Sequence, residues 1–194
     1  MLTIPNALTL LRLLAVPVFL YASFRGDFRL AFILFISAAL TDILDGWIAR
    51  RFNQKSRIGA ILDPAADKTM MVCGYLFYTL RPNLPQIAIP GWLTLLVFIR
   101  DVLIILFAYL FYTRIQVTRF PPSWAGKLST FAQAVTLAAT IGTNSLLPGL
   151  RGFTEVLFRI TLGITLFSAW DYLRRGDRML RWGATALDRP ATLP

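Results

Sequence analysis

The sequence predicts an all-α membrane protein with six transmembrane helices and a short N-terminal interfacial helix. Of its 194 residues, 56% are hydrophobic and 15% are charged, and the mean hydropathy is +0.61. A soluble core of this size could not hide so much apolar surface, so the excess is expected to face lipid. Apolar stretches of nearly spanning length recur along the chain, and basic residues concentrate in alternate loops between them.

Each helix is predicted from an apolar stretch close to the roughly 17–25 residues that cross a bilayer. Five such stretches are Thr9–Ser23, Leu30–Ile48, Ile87–Tyr112, Leu128–Leu147 and Phe153–Tyr172. A sixth, Leu62–Leu80, qualifies if the charged residues near its start, Asp63, Asp67 and Lys68, lie at one end and are satisfied. The predicted order therefore alternates six helices with brief loops.

The N-terminal segment Leu2–Arg12 begins with the turn signal Ile4-Pro5-Asn6 and continues with apolar residues at helical spacing. A helix lying along the membrane interface is expected there. Residues 1–194 are expected to form a single domain, with a basic polar tail from about residue 174.

Basic residues predict the orientation. With six helices, one side of the membrane carries thirteen of them: Arg12, Arg50, Arg51, Lys55, Arg57, Arg114, Arg119, Lys127, Arg174, Arg175, Arg178, Arg181 and Arg189. The other side carries four: Arg25, Arg29, Arg81 and Arg151. This asymmetry places both termini in the cytoplasm. Anionic lipid head groups account for the net charge of +10, so no nucleic-acid partner is expected. Because no presequence is evident, a bacterial cytoplasmic membrane is the expected location.

Four of the ten acidic residues, Asp42, Asp45, Asp63 and Asp67, lie in or beside apolar segments. A lone carboxylate at the centre of a membrane helix costs about 2.5–3.5 kcal/mol on insertion scales. Positions 42 and 45 are three apart and positions 63 and 67 are four apart, so each pair shares one helix face. Two facing helices would bring four carboxylates together. Such a cluster suits Mg²⁺, Mn²⁺ or Ca²⁺, and the absence of histidine from the sequence argues against zinc.

The linker between the two pairs is basic and is flanked by Gly46 and Gly59. Glycine lets a ligand or a neighbouring helix approach the backbone closely, and Arg50 can neutralise a diphosphate. Metal, arginine and diphosphate together are typical of phosphoryl transfer. A phosphate-bearing ligand is therefore expected beside the carboxylates.

The pattern Asp42-x-x-Asp45-Gly46-x-x-Ala49-Arg50, followed at fixed spacing by Gly59, Asp63 and Asp67, resembles the complete signature of the CDP-alcohol phosphatidyltransferases. The resemblance extends from Ile4-Pro5-Asn6, with Thr9 and Arg12, to the Gly126-Lys127 segment, so it covers most of the chain. It implies an enzyme that moves a phosphatidyl group from CDP-diacylglycerol to an alcohol and releases CMP. It also implies six transmembrane helices, a homodimer, and an active site that opens to the cytoplasm.

The resemblance further implies roles for individual residues. Two divalent cations, Mg²⁺ or Mn²⁺, would be bound by Asp42, Asp45, Asp63 and Asp67, with Asp67 also acting as general base. The CDP-lipid would be contacted by Asn6, Thr9, Gly46, Arg50, Ser56 and Gly59. The acceptor's phosphate would be contacted by Arg100, Arg114, Arg119 and Lys127.

The acceptor is open between two branches of the family. Phosphatidylglycerol phosphate synthases tend to carry an Arg-Glu pair in the fourth helix and another arginine eight residues later, whereas this chain has Arg100-Asp101 and Ala108. The run Ile89-Pro90-x-Trp92-Leu93-Thr94 with Arg100-Asp101 is similar instead to cardiolipin synthases, so phosphatidylglycerol is the expected acceptor and glycerol 3-phosphate the alternative. Arg100 and Asp101 are equally consistent with a structural ion pair.

Two other classes of protein remain as alternatives. Carboxylates within a membrane also occur in the proton or ion pathways of transporters. A catalytically silent scaffold could keep the fold, although a chain freed from metal binding would have little reason to keep burying four aspartates. Metal dependence distinguishes an enzyme from a scaffold, and substrate flux across vesicles would identify a transporter.

Overall fold

A computed structural model describes residues 4–51, 59–115 and 123–187, and within these ranges the regular structure is entirely helical. The helices are α1 (Ile4–Phe24), α2 (Phe28–Arg51), α3 (Gly59–Leu80), α4 (Gly91–Ile115), α5 (Trp124–Ser145) and α6 (Arg151–Leu187). A 3-10 turn, Pro148–Leu150, leads into α6. The predicted all-α class is confirmed.

Several helix bounds differ from the predicted stretches. From Ile4 onward, the predicted interfacial segment and the first apolar stretch belong to one helix, α1. The stretch predicted to start at Ile87 becomes helical only at Gly91. At the other end of the chain, α6 continues to Leu187, beyond the start of the predicted tail.

The chain divides into two compact units. Unit 1 comprises Met1–Thr94 with Ala134–Phe158, and unit 2 comprises Leu95–Gln133 with Arg159–Pro194. The single-domain expectation for the whole chain stays a prediction. Each unit is described by itself below.

In unit 1, the turn between α1 and α2 is closed by backbone hydrogen bonds. The amide of Asp27 donates to the carbonyl of Ala22 at 2.9 Å, and that of Gly26 donates to Ser23 at 3.1 Å. This pairing is a Schellman motif, which requires the left-handed conformation that Gly26 adopts at φ +75°. Asp27 then caps α2, because its Oδ1 accepts a hydrogen bond from the amide of Leu30 at 3.1 Å. The chain therefore reverses direction within a few residues.

Aromatic contacts hold α1, α2 and α3 together at this turn. The ring centroids of Phe24 (α1) and Phe77 (α3) are 5.0 Å apart, edge to face, and Phe28 (α2) lies 6.0 Å from Tyr78 (α3). Offset and edge-to-face pairs of this kind add to the energy of apolar burial. The end of α1, the start of α2 and the end of α3 therefore meet, which fixes an up-down-up order. Asp42, Asp45, Asp63 and Asp67 fall towards the opposite end.

The connection from α3 to α4 is held by one amide side chain. Asn144 accepts a hydrogen bond from the amide of Ile87 at 2.9 Å and donates one to the carbonyl of the same residue at 2.9 Å. Its Nδ2 also donates to the carbonyl of Thr140 at 2.8 Å. Asn144 thus pairs with Ile87 as a neighbouring strand would. These bonds satisfy the backbone of a non-helical segment where the apolar pattern alone predicted helix.

The last two helices bury small polar residues and expose large apolar ones. On α6 the buried positions include Thr154, Thr161, Thr165 and Ser168, whereas the exposed ones include Phe153, Val156, Ile160, Leu166, Phe167 and Leu173. In unit 1 the hydroxyls of Thr143 and Thr154 lie 2.8 Å apart, and in unit 2 those of Ser129 and Thr165 lie 3.3 Å apart. Small and hydroxyl residues at helix contacts are typical of helices packed in lipid.

Among the described residues, one segment passes a length and hydropathy criterion for crossing a membrane. It is Pro148–Arg174, with 27 residues and a hydropathy of 1.3. A shorter apolar helical segment, Thr9–Phe24, lies in α1. An all-helical protein with a candidate membrane span is therefore supported.

Candidate active site

A buried arginine and an aspartate form an ion pair between α1 and α2 in unit 1. Nη1 of Arg12 lies 2.6 Å from Oδ1 of Asp42. Arg12 is only 3% exposed, whereas the side chain of Asp42 is 42% exposed. A charge-assisted hydrogen bond at this distance orients the carboxylate and offsets its charge. The exposed fraction of Asp42 leaves it accessible to a ligand.

The two helices run antiparallel in a definite register. Arg12 pairs with Asp42, and seven residues further along α1 the ring of Phe19 contacts Phe35, seven residues back along α2, at 6.4 Å. In the opposite direction, three residues back along α1 from Arg12 and three residues on along α2 from Asp42, the same register sets position 45 at the level of Thr9. Thr9 is fully buried. The first two predicted metal ligands therefore lie on helical positions that flank Thr9 and Arg12.

The register of α3 follows from the aromatic contact between Phe24 and Phe77. These helices run in the same direction, so position 63 falls near residue 10 of α1 and position 67 near residue 14. Both α2 and α3 pack against α1. At 1.5 Å per residue, the four aspartate positions span about 8 Å along α1. Helix register thus sets the backbone positions of the two aspartate pairs at one level of unit 1.

The predicted metal ligands are all carboxylates. Asp42 is the predicted metal ligand whose side chain the structure describes, whereas Asp45, Asp63 and Asp67 are described by their helical backbone. Among the described side chains there is no cluster of three or more acidic, cysteine or histidine residues. Carboxylate oxygens without histidine fit a hard divalent cation such as Mg²⁺ or Mn²⁺. The residues present are therefore compatible with the predicted metals.

The predicted CDP-lipid contacts fall on the same three helices. Asn6 lies in the first turn of α1, one turn before Thr9. Gly46 and Arg50 lie in the last two turns of α2, and α3 begins at Gly59. Ser56 lies outside the described residues. Chain order therefore places the described ones among these residues at the end of unit 1 that carries the aspartates.

The predicted acceptor contacts belong to unit 2, and one of them is engaged within the protein. Arg100 is 5% exposed, and its Nη1 lies 2.7 Å from Oδ1 of Asp101. Its Nε and Nη2 donate to Oγ of Ser168 at 3.3 and 3.0 Å, and Nη2 also donates to the carbonyl of Gly126 at 3.2 Å. The guanidinium carbon lies 5.7 Å from the ring centroid of Tyr172. The structural ion pair between Arg100 and Asp101 is present.

The other predicted acceptor contacts differ in what the structure describes of them. Lys127 is exposed in the first turn of α5, with Nζ 5.6 Å from the ring centroid of Trp124. Arg114 lies in the last turn of α4, and its backbone is described. Arg119 lies outside the described residues. Lys127 is therefore the predicted acceptor contact whose side chain is both described and exposed.

Sequence reasoning gave no role to Arg12 and did not identify Ser168 or Tyr172. Arg12 was visible as a charge within an apolar helix, which marks a functional or paired residue. Ser168 carried a weaker signal, since a small hydroxyl residue in an apolar helix is equally consistent with general packing. Its partner, Arg100, is 68 residues away in the chain. Contacts at that separation are set by packing.

The chain matches one family model and several named enzymes. The family model described as CDP-alcohol phosphatidyltransferase matches residues 2–169. A probable phosphatidylglycerophosphate synthase of Mycobacterium tuberculosis is 33% identical over 182 residues, covering 89% of this chain and 81% of the relative. A CDP-diacylglycerol–glycerol-3-phosphate 3-phosphatidyltransferase of Salmonella paratyphi A is 32% identical, covering 90% of this chain and 96% of the relative. The CMP-forming cardiolipin synthase of Homo sapiens is 31% identical over 92% of this chain and 63% of the relative.

Proposed function

This chain belongs to the CDP-alcohol phosphatidyltransferase family, and on that premise we propose that it moves the phosphatidyl group of CDP-diacylglycerol to an alcohol in anionic phospholipid synthesis. The observation that carries this proposal is the Arg12–Asp42 ion pair, with α1 packed against both helices that bear the aspartates. That arrangement suits a cation site next to a diphosphate. A transporter or a silent scaffold would not require carboxylates at the family's spacing.

Each site residue has a proposed task. Arg12 holds Asp42 in a fixed orientation, and the four aspartates hold two divalent cations. When bound, the cations neutralise the diphosphate and the charge that develops during transfer. Arg50 binds the diphosphate on its cytidine side.

Asp67 removes the proton from the acceptor hydroxyl. The hydroxyl oxygen then bonds to the phosphorus next to the diacylglycerol. The bond from that phosphorus to the bridging oxygen breaks, and CMP leaves with that oxygen. This sequence of bond changes requires an acceptor hydroxyl close to Asp67 and in line with the bridging oxygen.

Phosphatidylglycerol is the proposed acceptor, which would make this chain a cardiolipin synthase. The Arg100-Asp101 pair, with alanine at position 108, supports it, and so does the similarity to the human cardiolipin synthase. Glycerol 3-phosphate is the second candidate. A probable phosphatidylglycerophosphate synthase and a CDP-diacylglycerol–glycerol-3-phosphate 3-phosphatidyltransferase match at 32–33% identity, and over more of their own length than the human cardiolipin synthase does.

The proposed setting is a bacterial cytoplasmic membrane. Six spans with both termini and the active site on the cytoplasmic side are supported by the charge asymmetry of the loops and by the exposed apolar side chains of the helices. A homodimer is proposed from the family resemblance. The mapping of single introduced cysteines with a membrane-impermeant thiol reagent, in a Cys73→Ser background, tests the orientation.

The test of function is an acceptor screen. Purified protein in detergent receives CDP-diacylglycerol and Mg²⁺ or Mn²⁺, and CMP release is followed as phosphatidylglycerol, glycerol 3-phosphate, inositol phosphate or serine is added singly. Release with phosphatidylglycerol alone supports the proposal, and release with glycerol 3-phosphate alone establishes the second candidate. The absence of CMP release with every acceptor and metal would contradict the enzyme proposal.

A further inference from the structure

We propose that Arg100 is a positioning residue, resting on the proposed function: it fixes the first turn of α5 and thereby places Lys127 for the acceptor's phosphate. Its guanidinium is not itself a ligand of that phosphate. The sequence left two hypotheses for Arg100, a structural ion pair with Asp101 and a contact with the acceptor. The proposal connects them, because the ion pair is structural and Arg100 affects acceptor binding through Lys127.

The first step is that the guanidinium already has partners within unit 2. Each of its three nitrogens donates to a protein oxygen, on Asp101, Ser168 or Gly126, at 2.7–3.3 Å. One face lies over the ring of Tyr172, at 5.7 Å. A phosphate could enter this site only by displacing these partners and leaving their buried polar atoms unpaired, which is costly. Direct recognition of the acceptor by Arg100 is therefore disfavoured.

The second step is that Arg100 is connected to Lys127 through hydrogen bonds in the first turn of α5. Arg100 binds the carbonyl of Gly126, the residue directly before Lys127. The amide of Gly126 donates to Oγ of Ser123 at 2.9 Å, and the amide of Lys127 donates to the carbonyl of Ser123 at 3.1 Å. Ser123 thus caps α5 while Arg100 anchors the same turn from α4. Lys127 projects from this turn and is exposed, so it is free to meet an anionic ligand.

The third step is the close packing around Gly126. A Cβ at this position would lie 2.7 Å from Oη of Tyr172 and 3.2 Å from both Nη2 of Arg100 and Oγ of Ser123. Any larger residue would therefore move the turn or its partners. Because the packing is close, small changes in the contacts of Arg100 with Gly126 and Ser168 are transmitted to the position of Lys127.

The experiment is a double-mutant cycle on the Michaelis constant (KM) for the acceptor. We expect Lys127→Gln, Arg100→Gln and Ser168→Ala each to raise the acceptor KM, by about 3- to 30-fold, with the KM for CDP-diacylglycerol unchanged. In a Lys127→Gln background, Arg100→Gln should add little, because its effect acts through Lys127. Arg159→Gln, which removes an exposed arginine from α6, is the matched control and should leave both constants unchanged.

Three results would overturn the proposal. The first is additive effects of Arg100→Gln and Lys127→Gln, which indicate that each binds the acceptor separately. The second is an unchanged acceptor KM in Lys127→Gln. The third is a fall in kcat alone for Arg100→Gln, with KM unchanged, which indicates only a smaller folded fraction.

Hydrogen exchange measured by mass spectrometry separates this proposal from the proposed function. In Arg100→Gln, amides of residues 124–130 should lose protection while those of α1 and α3 keep it. Unchanged protection of the amides of residues 124–130 would refute the claim that Arg100 fixes the first turn of α5, whatever the activity of the variant. If the wild-type protein used no acceptor at all, the proposed function would fail, and the exchange result would still decide whether Arg100 fixes this turn.

Discussion

Nη1 of Arg12 donates a 2.6 Å hydrogen bond to Oδ1 of Asp42, across the contact between α1 and α2. The arginine is almost fully buried, whereas the aspartate is partly open to ligands. Carboxylates at one level of α2 and α3 would repel one another, so a fixed cation beside Asp42 lowers that cost before any metal binds. Arg12 is therefore the resident counter-ion of the proposed metal site.

Arg12→Gln should lower the stability of the metal-free protein by about 1–3 kcal/mol, because Asp42 loses a charge-assisted hydrogen bond. Saturating Mn²⁺ should stabilise the variant more than it stabilises the wild type, since the cation then offsets more repulsion. Turnover at saturating Mn²⁺ should still fall about 10-fold or more, because Asp42 is no longer oriented.

The measurement is thermal unfolding in detergent with and without Mn²⁺, combined with CMP release. Arg29→Gln, which removes an exposed arginine from the start of α2, is the control and should behave as wild type. Equal metal-free melting temperatures for Arg12→Gln and wild type would contradict the counter-ion role.

Removal of divalent cations should stop CMP release, because carboxylates alone cannot neutralise a diphosphate. EDTA should abolish activity, and an excess of Mg²⁺ or Mn²⁺ should restore it. EDTA already saturated with Mg²⁺ is the control for effects of the chelator itself. Turnover that persists after exhaustive dialysis against EDTA would rule out a metal-dependent transfer.

Asp67→Asn should lower CMP release at least about 100-fold while leaving the protein folded, because the general base is lost. Asp27→Asn is the matched control, since asparagine also caps a helix. Asp27 lies in the α1–α2 turn, at the opposite end of these helices from the four aspartates. Both variants are compared by CMP release and by thermal unfolding. Substantial residual transfer in Asp67→Asn would contradict its assignment as the base.

Asn144→Ala should destabilise the protein by about 1–3 kcal/mol, because the buried amide and carbonyl of Ile87 lose their partner. Ser145→Ala is the control and should have little effect, since the carbonyl of Gly142 that it contacts also accepts from the amides of Leu146 and Leu147. Thermal unfolding in detergent measures the stability of both variants. An unchanged melting temperature for Asn144→Ala would show that the α3–α4 connection does not depend on the hydrogen bonds between Asn144 and Ile87.

Helix positions were predictable where they depend on local composition, and the exceptions have physical causes. The apolar run from Ile87 suggested helix, yet the backbone of Ile87 is non-helical and exchanges two hydrogen bonds with Asn144 instead. Similarly, the charge-rich segment after Arg174 continues α6, because arginine, leucine and alanine favour helix even without an apolar stripe. Local preference and tertiary pairing compete at both places.

The sequence by itself determined that the chain is helical and that its aspartates occur in two pairs, each on one helix face, because helical periodicity is a property of a few neighbouring residues. Only the tertiary structure decided that Arg12 pairs with Asp42, and that Arg100 is held by Ser168 and Gly126. Those partners are 26 to 68 residues apart in the chain. Which polar groups meet at such separations depends on helix register and close packing, and these are settled only when the whole fold forms.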